Sequence, residues 1–155
     1  MRVNPRNPYW LFLLRLALGG VFIVASLDKI SHPAAFALAI RNYQILPIAV
    51  SNLFAITLPW IELAAGALLI LGVKCRSNAA ILSGLMFVFN IALVLALVRG
   101  LNINCGCFDV DAKEAINGWY ILRDLSLLAV GVLLFVFERQ DRFPLIGRAP
   151  AEELS

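Results

Sequence analysis

Residues 48–73 read IAVSNLFAITLPWIELAAGALLILGV, and this uninterrupted apolar stretch decides the fold. Glu62 is its only ionisable side chain. An α-helix needs about 20 predominantly apolar residues to cross the hydrocarbon core of a bilayer. A continuous apolar run without the alternation of a barrel strand satisfies its backbone groups in lipid only as a helix. The stretch therefore predicts a membrane-spanning helix.

Three further stretches of the same character flank it, at residues 10–27, 79–98 and 119–137. The chain has 155 residues, of which 61% are hydrophobic and 15% are charged, whereas soluble domains are roughly 25% charged. This composition does not suit a water-soluble globule. The sequence predicts one all-α domain, residues 1–155, that is a polytopic membrane protein with a four-transmembrane-helix bundle.

The loop between the first two predicted spans carries a shorter helical pattern. Its apolar residues recur at three- and four-residue steps, at Phe36, Ala39, Ile40 and Tyr43. The pattern is too short to cross a bilayer, so we expect a short interfacial helix in this first outer loop, beginning at Pro33. After the last span, residues 139–155 are predicted to form a flexible cytoplasmic tail.

The placement of Lys and Arg residues predicts the orientation in the membrane. Seven lie on one side of the predicted spans, at Arg2, Arg6, Lys74, Arg76, Arg139, Arg142 and Arg148. Four lie on the other side, at Lys29, Arg41, Arg99 and Lys113. The positive-inside rule then places both termini in the cytoplasm and the two longer loops outside, in a multi-pass protein of the inner (plasma) membrane. The basic residues are confined to short flanks and loops, so nucleic acid is not an expected partner.

Polar side chains occur inside the predicted spans, at Arg15, Glu62, Asn90, Arg123 and Asp124. Such groups are costly in hydrocarbon, normally face the bundle interior and mark functional paths. Arg15 and Lys29 fall on one face of the first helix, which should point inward. A rise of about 1.5 Å per residue brings Glu62 and Arg123 to neighbouring depths, so we expect them to make contact. Asn90 should hydrogen-bond to one of them.

These residues predict a polar chamber that opens toward the outer loops. A quinone is the suspected cofactor, and its candidate binding residues are Glu62, Asn90, Arg123, Asp124 and Lys29. The alternative is that these side chains only hold the helices together or reach the lipid headgroups. The sequence alone leaves both interpretations open.

Two cysteines, Cys105 and Cys107, stand on either side of Gly106 in the second outer loop. Residues two apart in an extended or turn segment have α-carbons about 5.5 to 7 Å apart, which just overlaps the range that a disulfide accepts. So small a ring would be strained, readily reduced and of little value as a structural link. We therefore predict a redox-active dithiol with Cys105 and Cys107 as the catalytic residues.

Metal binding is the competing interpretation of the two cysteines, because a pair of soft thiolates can hold copper(I) or zinc. His32 is the only histidine in the chain, and a structural zinc site usually takes four Cys or His ligands. No metal is therefore expected. Cys75 falls on the reducing, cytoplasmic side and is predicted to be inert.

Five stretches of the sequence together resemble a known family. They are RLALGGVFIVASLDKISHP (15–33), RNYQILP (41–47), LPWIELAAGALLILG (58–72), NCGCF (104–108) and GWYILRDLSLL (118–128). In this order they resemble the DoxX and MauE type of small four-helix membrane proteins associated with redox pathways. For the MauE branch, the resemblance implies maturation of a disulfide-rich periplasmic partner, which in methylamine use is the small dehydrogenase subunit. For DoxX relatives, it implies thiosulfate oxidation with quinone as the electron acceptor.

The residues and the resemblance together predict a membrane thiol-disulfide oxidoreductase linked to quinone. Its partner would be an extracytoplasmic redox or disulfide-containing protein, and Lys29 or Arg99 would activate the attacking thiol. One alternative is a module that binds or transports a metal or a small sulfur compound. Another is a non-enzymatic accessory subunit whose outer loops dock a partner.

Overall fold

The structure is a computed structural model that describes residues 8–45, 47–100 and 118–137. Within these ranges the regular secondary structure is α-helical, as predicted. The helices are α1 (Pro8–Ser31), α2 (Pro33–Asn42), α3 (Ile48–Leu71), α4 (Cys75–Val98) and α5 (Gly118–Phe137). The predicted dithiol at Cys105 and Cys107 and the predicted tail at residues 139–155 lie outside the described residues.

Three of the helices are long and apolar enough to cross a membrane, judged by length and composition: Tyr9–Ser31, Ile48–Leu71 and Cys75–Val98. They coincide with the first three predicted spans. Helix α5 forms at the fourth predicted span and is 20 residues long. Helix α2 confirms that the loop after α1 is helical from Pro33.

The four long helices form a ring in the order α1, α3, α4, α5, in which neighbours run antiparallel. Helix α2 packs on α3 and α1 at the end of the ring where α1 and α4 end, which we call the α2 end. All four long helices contribute to the apolar core, whose buried members include Leu18, Leu69, Leu82 and Leu134. The core therefore joins the ring into one bundle.

Two glycines bring α1 and α3 into close contact. A Cβ atom added to Gly19 would lie 2.7 Å from the carbonyl oxygen of Gly66 and 2.6 Å from Cγ1 of Ile70. A Cβ atom added to Gly66 would lie 3.1 Å from the carbonyl oxygen of Gly19. Small residues at such a crossing allow the two backbones to touch. The crossing sets the register of α1 against α3 and so determines which polar groups can meet.

A tight turn reverses the chain between α3 and α4. Gly72 closes α3 in the left-handed conformation, with φ of 80°. The backbone N–H of Val73 donates to the carbonyl oxygen of Leu68 at 2.9 Å, and that of Gly72 donates to Leu69 at 3.2 Å. These are the two bonds of a Schellman motif, in which a residue without a side chain tolerates the positive φ best. The turn places α4 beside α3 with the opposite direction.

The outward surfaces of the four long helices are apolar. Large exposed apolar side chains lie on every one of them, among them Val24, Leu53, Val88 and Val136. A water-soluble monomer rarely exposes large contiguous apolar areas. The ring is therefore apolar on its outside as well as in its core, which suits lipid contact.

Candidate functional site

A buried ion pair joins α1 to α3. Lys29 Nζ lies 2.7 Å from Glu62 Oε2, and each side chain is only 2% exposed. Lys29 is in the last turn of α1, whereas Glu62 is near the middle of α3. Side chains of a helix lean toward its N-terminus, so in antiparallel helices these two lean toward each other. This lean accounts for a contact between residues whose backbones lie at different depths.

Two aromatic rings complete the surroundings of the Lys29 ammonium group. Nζ lies 5.3 Å from the centre of the Phe36 ring in α2 and 5.7 Å from the centre of the Phe89 ring in α4. Both distances fall within the about 6 Å range of cation–π attraction. The sequence interpretation missed this role of Phe36 and Phe89, because an aromatic residue at helical spacing gives no sign of which cation it faces. The ammonium group of Lys29, a residue of α1, thus contacts side chains of three other helices.

The predicted contact between Glu62 and Arg123 is wrong. Glu62 bonds to Lys29 instead, and Arg123 donates from Nε and Nη2 to Oδ1 of Asp124 at 3.0 and 2.9 Å. The depth of a residue along its helix does not determine its partners, because these also depend on the lateral order of the helices. Helix α3 packs on α1 and α4 rather than on α5, so the nearest cation to Glu62 comes from α1.

Asn90 presents a buried acceptor toward the interior. The residue is 7% exposed, and its Nδ2 donates to the carbonyl oxygen of Met86 at 2.9 Å. Its Oδ1 has no hydrogen-bond partner among the described residues. The expected hydrogen bond from Asn90 to Glu62 or Arg123 is therefore not formed.

Four buried polar residues, one on each long helix, lie at similar depths in the bundle. Gly19 meets Gly66, and Gly131 of α5 meets Ser83 of α4 and Leu18 of α1, so these contacts define a common reference plane. From this plane, a rise of about 1.5 Å per residue puts Asn90 and Asp124 each about 10 Å toward the α2 end and Glu62 about 6 Å toward it. Lys29 reaches the same level through its bond to Glu62. All four residues are buried.

We call Lys29, Glu62, Asn90 and Asp124 the polar layer. It contains one residue from each long helix, with Arg123 at its edge, where the Arg123 side chain is 32% exposed. The structure thus brings together four of the five residues predicted to bind the cofactor and places the fifth beside them. A buried ion pair between helices is weak evidence for stability, because an apolar pair of similar size often serves as well. Inside an apolar bundle such a layer points instead to a functional interior.

The remaining singled-out residues lie away from the layer. Arg15 is buried like Lys29, which confirms the predicted inward face of α1, but lies about 15 Å from the level of Asp124. His32 is exposed between α1 and α2, with Nδ1 3.5 Å from Oδ1 of Asp28. Cys75 is buried at the start of α4. Arg15 and Cys75 therefore lie toward the opposite end of the bundle from α2.

Comparison with known proteins gives a consistent result. The sequence profile of the family described as "Methylamine utilisation protein MauE" matches residues 7–137. The chain is 32% identical to the methylamine utilization protein MauE of Paracoccus denitrificans over 129 residues, which cover 83% of this chain and 69% of that protein. It is 33% identical to MauE of Methylorubrum extorquens over 111 residues, which cover 70% of this chain and 60% of that protein. No solved structure matches the chain.

The profile covers all five helices and every member of the polar layer. The relatives are similar over most of the same length, and the apolar helices described above are those of a membrane-embedded protein. The chain belongs to the MauE family of membrane proteins.

Proposed function

We propose that this protein is a membrane accessory protein of methylamine utilisation that oxidises thiols of a periplasmic partner and passes the electrons to a quinone. Cys105 and Cys107 would form the exchanging dithiol, and the polar layer would hold the quinone. The observation that carries the proposal is the polar layer itself, a group of buried charged and amide side chains inside an apolar bundle. The names of the relatives support the link to methylamine utilisation.

The proposal includes a four-span topology in the inner membrane, with both termini in the cytoplasm. Helix α5 would be the fourth span, since its 20 residues extend about 30 Å, the thickness of the hydrocarbon core. Helix α2 would lie at the outer interface. The segment that contains Cys105 and Cys107 connects α4 to α5, both of which reach the α2 end. Chain connectivity therefore supports a dithiol on the same side of the reference plane as the polar layer.

The proposed reaction balances in two steps. A dithiol of the partner reduces the Cys105–Cys107 disulfide by exchange, so that the partner gains an S–S bond and the two cysteines become thiols. The two thiols then re-form their S–S bond and release two electrons and two protons. The polar layer would hold a quinone, which would supply the acceptor for both electrons and both protons and leave as the hydroquinone. The net result is oxidation of the partner by the membrane quinone.

The charge arrangement of the polar layer supports a role beyond packing. Lys29 and Glu62 supply one positive and one negative group within 2.7 Å of each other, in a place where lipid surrounds the bundle. Groups of this kind can hold or pass the protons that quinone reduction consumes. If the layer served packing alone, apolar residues of similar volume would fill the space at no greater cost.

The test is quinone reduction by the purified full-length protein in lipid nanodiscs, with a reduced dithiol peptide as the electron donor. We expect the double variant Cys105→Ser, Cys107→Ser to lose quinone reduction down to the rate of empty nanodiscs, because a hydroxyl cannot form the disulfide. The matched control is Cys75→Ser, which removes the cysteine of α4 and should keep the rate of the unaltered protein. A double variant that reduces quinone normally would contradict the proposal and leave a non-enzymatic docking role.

A further inference from the structure

Asn90 Oδ1, in the polar layer, has no hydrogen-bond partner among the described residues. The described hydrogen bonds of the nearby polar groups run to other acceptors: Lys29 Nζ bonds to Glu62, and Asn90 Nδ2 donates to Met86. A buried acceptor without a donor is costly, and more so where lipid excludes water. Asn90 Oδ1 is therefore an acceptor that a ligand with an O–H or N–H group could satisfy.

The orientation of the Asn90 amide follows from its neighbour on the same helix. The carbonyl oxygen of Met86 lies 2.9 Å from the amide and can only accept a hydrogen bond. If the amide were turned over, Oδ1 would face that carbonyl oxygen and two acceptors would repel each other. The helix thus fixes Nδ2 toward Met86 and leaves Oδ1 to receive a ligand's hydrogen atom.

We infer that Asn90 selects the reduced form of the quinone by accepting a hydrogen bond from a hydroquinone hydroxyl group. This inference rests on the proposed function and states which redox form the same site prefers. A hydroquinone carries two O–H donors, one of which can donate a hydrogen bond to Oδ1. The oxygens of the oxidised quinone can only accept hydrogen bonds, so one of them would lie against Oδ1 as acceptor against acceptor. Asn90 thereby acts as a specificity-determining residue for the redox state of the ligand.

Preference for the reduced form has a consequence for the direction of electron flow. When a hydroquinone binds about tenfold more tightly than its quinone, the reduction potential of the bound pair rises by about 30 mV for two electrons. A higher potential favours transfer from the two thiols to the quinone, in which two S–H bonds break, one S–S bond forms and the two quinone oxygens become hydroxyl groups. Asn90 would thus favour oxidation of the dithiol over its reduction.

The experiment measures the affinity of the full-length protein in nanodiscs for decylubiquinol and decylubiquinone by calorimetry, under anaerobic conditions. We expect the unaltered protein to bind the quinol about tenfold more tightly, as one additional hydrogen bond provides. Asn90→Leu, which has a similar volume and no polar atom, should weaken quinol binding until the two affinities are equal. Asn78→Leu is the matched control, since Asn78 is also a buried amide of α4 but bonds to Val73 at the opposite end. It should keep the tenfold ratio.

The outcomes separate this inference from the proposed function. Equal affinity of the unaltered protein for the two forms, or tighter binding of the quinone, would overturn the role of Asn90 and leave the quinone site intact. Retention of the ratio in Asn90→Leu would also overturn it. Binding of neither form would overturn both this inference and the quinone part of the proposed function. The comparison of the two forms on the unaltered protein needs no variant, so a failure of Asn90→Leu to fold does not remove the test.

Discussion

Replacing Glu62 with Leu while Lys29 is kept is expected to lower the free energy of unfolding by about 3–5 kcal/mol. The variant leaves the Lys29 ammonium group inside the bundle, where its 2.7 Å contact with a carboxylate is lost and, among the described residues, the faces of two phenylalanine rings remain. An uncompensated charge in such a place is among the largest costs that one substitution can impose. The measurement is reversible unfolding of the purified protein in mixed micelles.

The double variant Lys29→Met, Glu62→Leu distinguishes the cost of one unpaired buried charge from the contribution of the ion pair itself. Because both charges are then absent, we expect it to recover to within about 1 kcal/mol of the unaltered protein or to exceed its stability. Recovery of stability without recovery of quinone reduction would show that the pair is kept for function. The pair of Asp28 and His32, whose side chains are 30% and 49% exposed, provides the control, and Asp28→Asn should change stability by less than about 1 kcal/mol. If Glu62→Leu were as mild as Asp28→Asn, the buried ion pair would not exist in the membrane.

Replacing Gly19 with Ala is expected to destabilise the protein by about 1–3 kcal/mol. The new methyl group would lie 2.7 Å from a backbone oxygen of α3, and backbone cannot move aside as a flexible side chain can. The two helices must therefore separate or shift along each other, which also displaces Lys29 from Glu62. We expect the loss in the same unfolding measurement, together with weaker quinone binding.

Gly20→Ala is the matched control for this substitution. It adds the same methyl group at the next position of α1, where nothing beyond the adjoining helix backbone lies within 4 Å of the added carbon. Alanine favours the helix over glycine, so this variant should be as stable as the unaltered protein or slightly more stable. Equal effects of the two substitutions would contradict the close crossing of α1 and α3.

The positions of the helices were predictable because long apolar runs have one solution in lipid. The predicted span at residues 48–73 and helix α3 (Ile48–Leu71) begin at the same residue. The predicted and observed helices differ most at ends that carry polar residues, because hydropathy alone predicts that the helix ends before them. The first span was predicted to end at residue 27, whereas α1 continues to Ser31 because Lys29 is buried and paired rather than exposed in a loop.

The sequence predicted which polar residues lie inside the bundle better than it predicted which of them contact each other. Inward placement of Glu62 and Asn90 followed from the cost of exposing them to lipid, and both are buried. The choice of Lys29 over Arg123 as the partner of Glu62 depends on which helices are neighbours in the ring. That lateral order arises from close contacts such as the glycine crossing of α1 and α3, and depth along a span carries no information about it.

The hydrogen bonding of Asn90 Oδ1 was likewise not predictable from the sequence. The sequence indicates an amide in a span, which most often serves as a hydrogen-bonding link between helices. Whether Oδ1 finds a donor depends on the geometry of Met86 and of the facing helices. The unpaired acceptor is therefore visible only in the three-dimensional structure of the bundle.

The most direct test of the central claim is the redox state of Cys105 and Cys107 in native membranes as a function of the quinone pool. The membranes are denatured rapidly in the presence of an alkylating reagent, with and without prior reduction. The mass of the peptide that contains both cysteines is then measured by mass spectrometry. With an oxidised pool, we predict a peptide that is two hydrogens lighter than the dithiol and takes up alkylating reagent only after reduction. With a reduced pool, both cysteines should be alkylated directly. A redox state of these cysteines that is the same under both conditions would contradict the account.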